Sequence, residues 1–164
     1  MSNPGPHSTV THGTINHGTY VIERDYPAKP ERVFAAFADP ARKRRWFLGS
    51  KEDATHELDF RVGGREVSRS TIAAGPVKGQ RLTNETHYLD IVPAERIALA
   101  YTMALGERRF SANLVTVELV PAGDGTRLIF TDQGAYFDGA DGAKMREDGW
   151  RHLLESLAQA LASA

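Results

Sequence analysis

Between residues 54 and 134 the chain carries one strand pattern after another, and a single leucine-rich helix follows. Residues 57–62 alternate polar with apolar side chains, and residues 97–103 do the same further along. No helical pattern separates these strands, so the order argues against a doubly wound parallel sheet. We therefore predict a meandering antiparallel sheet with one apolar face that another element must cover.

Two short helices precede this series and follow a first strand at residues 19–26. Pro30 suits the first position of a helix, and Asp39-Pro40 supplies an N-cap and a first position for the next one. Turn-forming Gly, Pro and Asp residues divide the later strands. The predicted later strands cover residues 57–62, 65–73, 82–92, 97–105, 115–119 and 126–133.

The terminal helix is the clearest amphipathic element of the sequence. Trp150, Leu153, Leu154, Leu157 and Leu161 fall on one face at helical spacing. It is the only predicted element long enough to cover the apolar face of the sheet. We therefore predict an α+β fold with seven curved antiparallel strands, two short helices and the long terminal helix across the concave face.

Composition limits the functions open to such a fold. Of the 164 residues, 41% are hydrophobic and 25% are charged, as is typical of one globular domain. The net charge of −1 argues against nucleic-acid binding through bulk electrostatics, and no apolar run is long enough to span a bilayer. With no cysteine, thiol nucleophiles and thiolate metal sites are excluded. We expect a cytoplasmic protein without a cofactor, because we find no signal sequence and no phosphate-binding loop.

The first 16 residues show neither apolar periodicity nor the basic start of a targeting signal. We interpret residues 1–16 as a flexible tail and residues 17–164 as a single domain. His7, His12 and His17 recur every five residues, but this spacing in a glycine-containing segment preorganises no metal site. We therefore predict no metal centre.

Several short segments resemble those of a known family in their order and spacing. They are RDYPA (24–28), PERVFAAF (30–37), DPARKRRW (39–46), LDFRVGGR (58–65), IVPAERI (91–97), GTRL (125–128) and GW (149–150). Residues 17 to 162 thereby resemble the domain family named for the activator of Hsp90 ATPase homologue 1, within the helix-grip superfamily of START and Bet v 1-like domains. The resemblance implies the same helix-grip architecture that the strand and helix patterns predict.

The resemblance also implies a cavity between the terminal helix and the concave sheet, where related domains often hold apolar or amphipathic small molecules. Alternation along the strands and the stripe on the helix then indicate which residues would line it. Taken singly, each apolar residue is more often core filling than a ligand contact. The candidate ligand-binding residues are Phe34, Phe37, Trp46, Phe60, His87, Tyr101, Met103, Phe110, Phe130, Tyr136, Trp150, Leu153 and Leu157.

Polar residues in the strands are the candidates for chemistry. His56 and His87 would act as acid or base near neutral pH if they faced the cavity. A register slip of one residue would turn them outward. No nucleophile–base pair is evident, so we assign no catalytic residue, and we interpret the basic run at residues 42–45 as a solvated helix face. Further polar candidates are Glu66, Arg69, Glu85, Tyr88, Arg108 and Arg109.

Three functional hypotheses follow, in this order. The first is a binding protein for a small apolar or aromatic ligand held in the cavity. The second, implied by the family's name, is a regulator of an Hsp90-type chaperone with a role in the stress response. The third is an enzyme similar to the cyclases and aromatases of related domains, working through a cavity histidine. Related domains often pair, so a homodimer is a further expectation.

Overall fold

A computed structural model of the protein describes residues 10–163 and contains one antiparallel sheet and, in that range, three helices. The strands are β1 (Val10–His12), β2 (Ile15–Tyr26), β3 (Thr55–Leu58), β4 (Arg65–Thr71), β5 (Arg81–Val92), β6 (Arg96–Leu105), β7 (Arg108–Ala122) and β8 (Gly125–Phe137). The helices are α1 (Pro30–Ala38), α2 (Pro40–Phe47) and α3 (Ala143–Ala162). The strand order β1-β2-β8-β7-β6-β5-β4-β3 shows that β3 to β8 form a meander and that β2 pairs with β8.

The α+β architecture predicted from the sequence is confirmed. The seven predicted strands correspond to β2–β8, and the two short helices and the long terminal helix are all present. β1 adds an eighth strand, because residues 10–12 pair with residues 15–17 of β2 in a hairpin. Residues 10–16, which the sequence pattern assigned to the tail, thus form this hairpin in the structure. Residues 1–9 of that expected tail, including His7, lie outside the described part of the chain.

The strand at β3 ends earlier than its alternating pattern predicts. β3 stops at Leu58, and the chain then turns tightly, since a Cβ atom at Gly64 would stand 2.1 Å from the Asp59 carbonyl oxygen. Gly64 also pairs with β5, where its carbonyl oxygen accepts a hydrogen bond from the Tyr88 amide. Val62, predicted to be buried, is consequently 55% exposed.

The helix α3 covers the inner face of the sheet, as its apolar stripe predicted. Trp150, Leu154, Leu157 and Leu161 are all buried there. Tyr26 at the end of β2 donates a hydrogen bond from its hydroxyl to the Leu154 carbonyl oxygen at 2.8 Å. Burial and this cross-link together fix the helix along the sheet.

The start of α3 lies especially close to β2. A Cβ atom at Gly18 would stand 2.6 Å from the Cβ of Ala143, the first residue of α3. Two carbon atoms repel each other strongly at that distance, so the separation of helix and strand depends on the missing side chain at Gly18.

We expect Gly18→Ala to destabilise the protein by about 1–3 kcal/mol, because the added methyl group forces α3 away from β2. Gly149→Ala is the matched control, since Gly149 lies inside α3 with open space where its Cβ would stand. Because alanine has a greater helix propensity than glycine, Gly149→Ala should raise the free energy of unfolding by about 0.5–1 kcal/mol. Urea unfolding measures both changes. Equal effects of the two substitutions would contradict the close approach of α3 to β2.

Candidate functional site

The inner face of the sheet carries polar as well as apolar side chains, arranged in rows across neighbouring strands. Residues that stand directly opposite one another in the antiparallel ladders share a face. One row runs through Ser68, Asn84, Met103 and Ser111. The next row runs through Glu66, Thr86, Tyr101 and Asn113. These rows place polar groups directly beneath α3.

A cavity of about 240 Å³ lies between α3, the end of α2 and strands β4 to β6, and we call it the α3 cavity. Its rim includes Met145, which is 67% exposed, and the exposed Lys51. Its apolar lining residues are Phe47, Leu48, Leu82, Met103, Met145, Trp150 and Leu153. Its remaining lining residues are Lys51, Ser68, Ser70, Asn84, Asp141, Arg146 and Gly149.

The sheet side of the α3 cavity presents polar groups that are available to a bound molecule. Ser68 and Ser70 are each 6% exposed, and neither hydroxyl has a hydrogen-bond partner among residues 13–163. The side-chain oxygen of Asn84 accepts a bond from Thr86 Oγ1 at 3.2 Å, which leaves the Asn84 amide nitrogen available. The cavity therefore combines an apolar wall with a polar base whose hydroxyl and amide groups are open to a bound molecule.

A buried network centred on Asp132 occupies the inner face beside the cavity. The Asp132 carboxylate accepts hydrogen bonds from the hydroxyls of Tyr20 (2.8 Å) and Tyr101 (2.9 Å) and from Asn113 Nδ2 (2.7 Å). Burial raises the pKa of Asp132, while these hydrogen bonds oppose the rise. Burial also raises the pKa of Tyr136, whose hydroxyl accepts a bond from Asn113, to about 12.

Arg146 joins this network to the first turns of α3. Its guanidinium donates to Asp141 Oδ2 at 2.7 and 3.1 Å, to Ser111 Oγ and Tyr101 Oη at 2.8 Å, and to Asn113 Oδ1 at 3.2 Å. These bonds use all five of its N–H donors. Arg146 therefore holds α3 on the sheet and has no free donor for a ligand, although it borders the α3 cavity.

A second buried network centres on Glu66 in β4. Its carboxylate accepts hydrogen bonds from Tyr88 Oη (2.5 Å), His56 Nε2 (2.8 Å) and Lys43 Nζ (3.3 Å). Burial alone would raise the pKa of Glu66, but the Lys43 ammonium and the two other hydrogen bonds outweigh it and lower the pKa to about 2. The network ties α2 to β3, β4 and β5.

Aromatic rings surround the Lys43 ammonium and separate this network from the α3 cavity. The Nζ atom lies 5.4 Å from the ring centre of Phe37, 5.3 Å from that of Trp46 and 4.8 Å from that of Phe47. The ring centre of Phe47 also lies 6.0 Å from that of Trp150, and both residues line the α3 cavity. Cation–π attraction and the Glu66 carboxylate together compensate for burying the Lys43 charge.

The low pKa of Glu66 predicts an acid-dependent loss of stability. Because the folded pKa of about 2 lies below the ordinary value of 4.5, the stabilisation is fully present above about pH 4.5 and is lost as the pH falls towards about 2. The difference in free energy of unfolding between the wild type and Glu66→Gln should therefore shrink by about 3 kcal/mol over that window.

Urea unfolding at a series of pH values tests this expectation. Glu57→Gln on β3 is the control, because Glu57 is exposed, and its difference from the wild type should change little over the same window. A wild-type to Glu66→Gln difference that stays constant from neutral pH down to about 2 would contradict the role of the Glu66 network.

The structure separates the thirteen predicted ligand-binding residues into four groups. Met103, Trp150 and Leu153 line the α3 cavity. Phe37, Trp46, Tyr101, Phe110, Phe130, Tyr136 and Leu157 are buried in the core or its hydrogen-bond networks. Phe34 and Phe60 are half-buried and pack edge to face, with ring centres 5.5 Å apart. His87 lies on the outer face. Contact of any of them with a ligand remains a prediction.

Neither candidate histidine lines the α3 cavity. The His87 side chain is 57% exposed because its neighbours Thr86 and Tyr88 take the inward positions of β5. Its Nε2 atom lies 3.3 Å from Glu85 Oε1. His56 does face inward, but it is buried against Glu66. Among the residues that the structure describes, no three His, Asp or Glu side chains form a group that could hold a metal ion.

Among the charged residues that organise the inner face, the sequence pattern identifies Glu66 as a candidate but not Lys43, Asp132 or Arg146. The interpretation of residues 42–45 as a solvated helix face is wrong for Lys43, which is 3% exposed. Two other signals were present in the sequence: Asp132 continues the inward alternation after Leu128 and Phe130, and Arg146 lies one turn before Trp150 on the α3 stripe. A charged residue at an inward position of a strand or helix is thus the signal by which a buried network can be found from sequence.

Comparison with known proteins decides the family. A family model described as activator of Hsp90 ATPase homolog 1-like protein matches residues 27–162. The chain belongs to this family. The resemblance found in the sequence is thus confirmed over most of the chain. A search of curated proteins finds no match.

Members of the fold with solved structures support the same assignment. Mll3558 from Rhizobium loti is 51% identical over 90% of this chain and 99% of its own, with a TM-score of 0.82. A protein from Rhizobium leguminosarum is 38% identical over 92% of this chain and 98% of its own, with a TM-score of 0.84. CV1439 from Chromobacterium violaceum is 29% identical over 87% of this chain and 96% of its own, with a TM-score of 0.71. Within the described residues, the helices are all too short or too polar to cross a membrane.

Proposed function

We propose that this protein binds a small amphipathic molecule in the α3 cavity. The observation that carries the proposal is the cavity-facing polar base formed by Ser68, Ser70 and Asn84 beneath an apolar wall that includes Trp150 and Leu153. Ligand sites commonly combine apolar walls with a few polar groups that orient the bound molecule. A filled core would leave no such cavity beside these hydroxyls.

The size of the α3 cavity restricts the ligand. A cavity of roughly 150 Å³ accommodates benzene, and sites for drug-sized ligands span roughly 300–1,000 Å³. At about 240 Å³ the α3 cavity fits a single ring with a short substituent. The apolar part would pack against Trp150 and Met103, while a hydroxyl or carbonyl group would bond to the serines. The proposed ligand class is therefore a small substituted aromatic or aliphatic alcohol, phenol or ketone.

Saturation-transfer NMR with 4-propylphenol tests this proposal. This probe has one ring, one short chain and one hydroxyl, and we expect magnetisation transfer from the wild-type protein. Leu153→Trp fills the cavity and should abolish the transfer. His152→Trp is the matched control, because it adds the same ring to the exposed neighbouring position of α3 and should leave the transfer intact.

The outcomes separate the proposal from nonspecific binding. Transfer that survives in Leu153→Trp as strongly as in His152→Trp would place the probe elsewhere and contradict the proposal. Absence of transfer in the wild type, for 4-propylphenol and for 4-propylcyclohexanol alike, would also contradict it. Thermal unfolding of each variant confirms that the compared proteins are folded.

The family name supports a second candidate, regulation of an Hsp90-type chaperone. Its supporting observation is the match to the family model over residues 27–162. We expect such a regulator to change the ATPase rate of a purified Hsp90-type chaperone when added in excess. An unchanged rate, with no complex detectable by sedimentation, would reject this candidate and leave ligand binding unaffected.

A further inference from the structure

A second pocket, separate from the α3 cavity, lies where α1, α2 and the end of α3 meet. It has a volume of about 220 Å³ and shares no lining residue with the α3 cavity. Three arginines line it, Arg32 from α1 and Arg42 and Arg45 from α2, and we call it the arginine pocket. Its other lining residues are Ala36, Trp46, Ala160 and Leu161.

The basic run at residues 42–45 divides into two pairs with different roles. Lys43 is buried against Glu66, and Arg44 donates a hydrogen bond to the Ala54 carbonyl oxygen at 3.0 Å. Arg42 and Arg45 instead remain exposed at the arginine pocket. The folded protein thus uses half of the run internally and presents the other half at one site.

No carboxylate in the described part of the chain forms an ion pair with Arg42 or Arg45. The two residues are three positions apart on one helix, a spacing at which like charges face each other and repel. Arg32 adds a third guanidinium, although it also donates to the Leu161 carbonyl oxygen at the end of α3. A bound anion would relieve this repulsion.

We propose that the arginine pocket binds an oxyanion, a phosphate or a carboxylate, carried on a small apolar group. Planar guanidinium groups match the geometry of both oxyanions and bind them through paired, charge-assisted hydrogen bonds. The apolar group would pack against Ala36, Ala160 and Leu161. This site is independent of the ligand proposed for the α3 cavity.

Isothermal titration calorimetry with phenyl phosphate tests the proposal, with benzoate titrated in parallel. Phenol, which has the ring without the charge, should bind at least about tenfold more weakly than phenyl phosphate when both are titrated into Leu153→Trp, in which the α3 cavity is filled. The double variant Arg42→Gln/Arg45→Gln should weaken the binding of phenyl phosphate by at least about tenfold for each arginine removed. Both side chains are exposed, and circular dichroism checks that the variant is folded.

Two controls distinguish the arginine pocket from general electrostatics and from the α3 cavity. Arg61→Gln/Arg108→Gln removes the same net charge from exposed positions elsewhere and should leave affinity within about twofold. Leu153→Trp, which fills the α3 cavity, should also leave it unchanged. The proposal would be overturned if both double variants lost affinity for phenyl phosphate equally, or if Leu153→Trp lost it. It would also be overturned if Arg42→Gln/Arg45→Gln kept the wild-type affinity. Failure of the wild type to bind either anion would overturn it as well.

Discussion

Burial of charge beneath two helices governs the rest of this structure. When α3 covers the sheet it buries Asp132 and Arg146, and α2 likewise buries Lys43 against Glu66. A buried charge without partners would cost several kcal/mol, so each carboxylate must meet donors at fixed positions. The Asp132 network thereby sets where α3 begins, and the Glu66 network sets where α2 lies against β4.

The α3 cavity is the space that these two networks leave between them. Arg146 and Asp141 bound it on one side, and Phe47, which packs over the Lys43 ammonium, bounds it on the other. Neither network extends to Ser68 or Ser70, and among residues 13–163 no side chain or backbone group forms a hydrogen bond with either hydroxyl. A small ligand binds with little reorganisation where rigid neighbours surround polar groups that face an open cavity.

The fold was predictable from the sequence because it depends on local periodicity. Alternation identified seven strands, and the stripe through Trp150 and Leu157 identified the covering helix. The site was less predictable, because it depends on where strands end and on which distant residues meet. β3 ended before Phe60 at a turn, and nothing local to Lys43 shows that Glu66 would receive its charge. Cavity position likewise follows from the contact of Phe47 with Trp150, which no single segment encodes.

Methyl-labelled NMR of the intact protein titrated with 4-propylphenol shows whether the α3 cavity takes up a ligand. We expect chemical-shift changes at the methyl groups of Leu82, Met103 and Leu153, which line the α3 cavity, with little change at the buried Leu128 and Leu161 outside it. Shifts that are absent from the three cavity residues, or that are spread evenly over all the methyl groups, would contradict ligand binding in the α3 cavity.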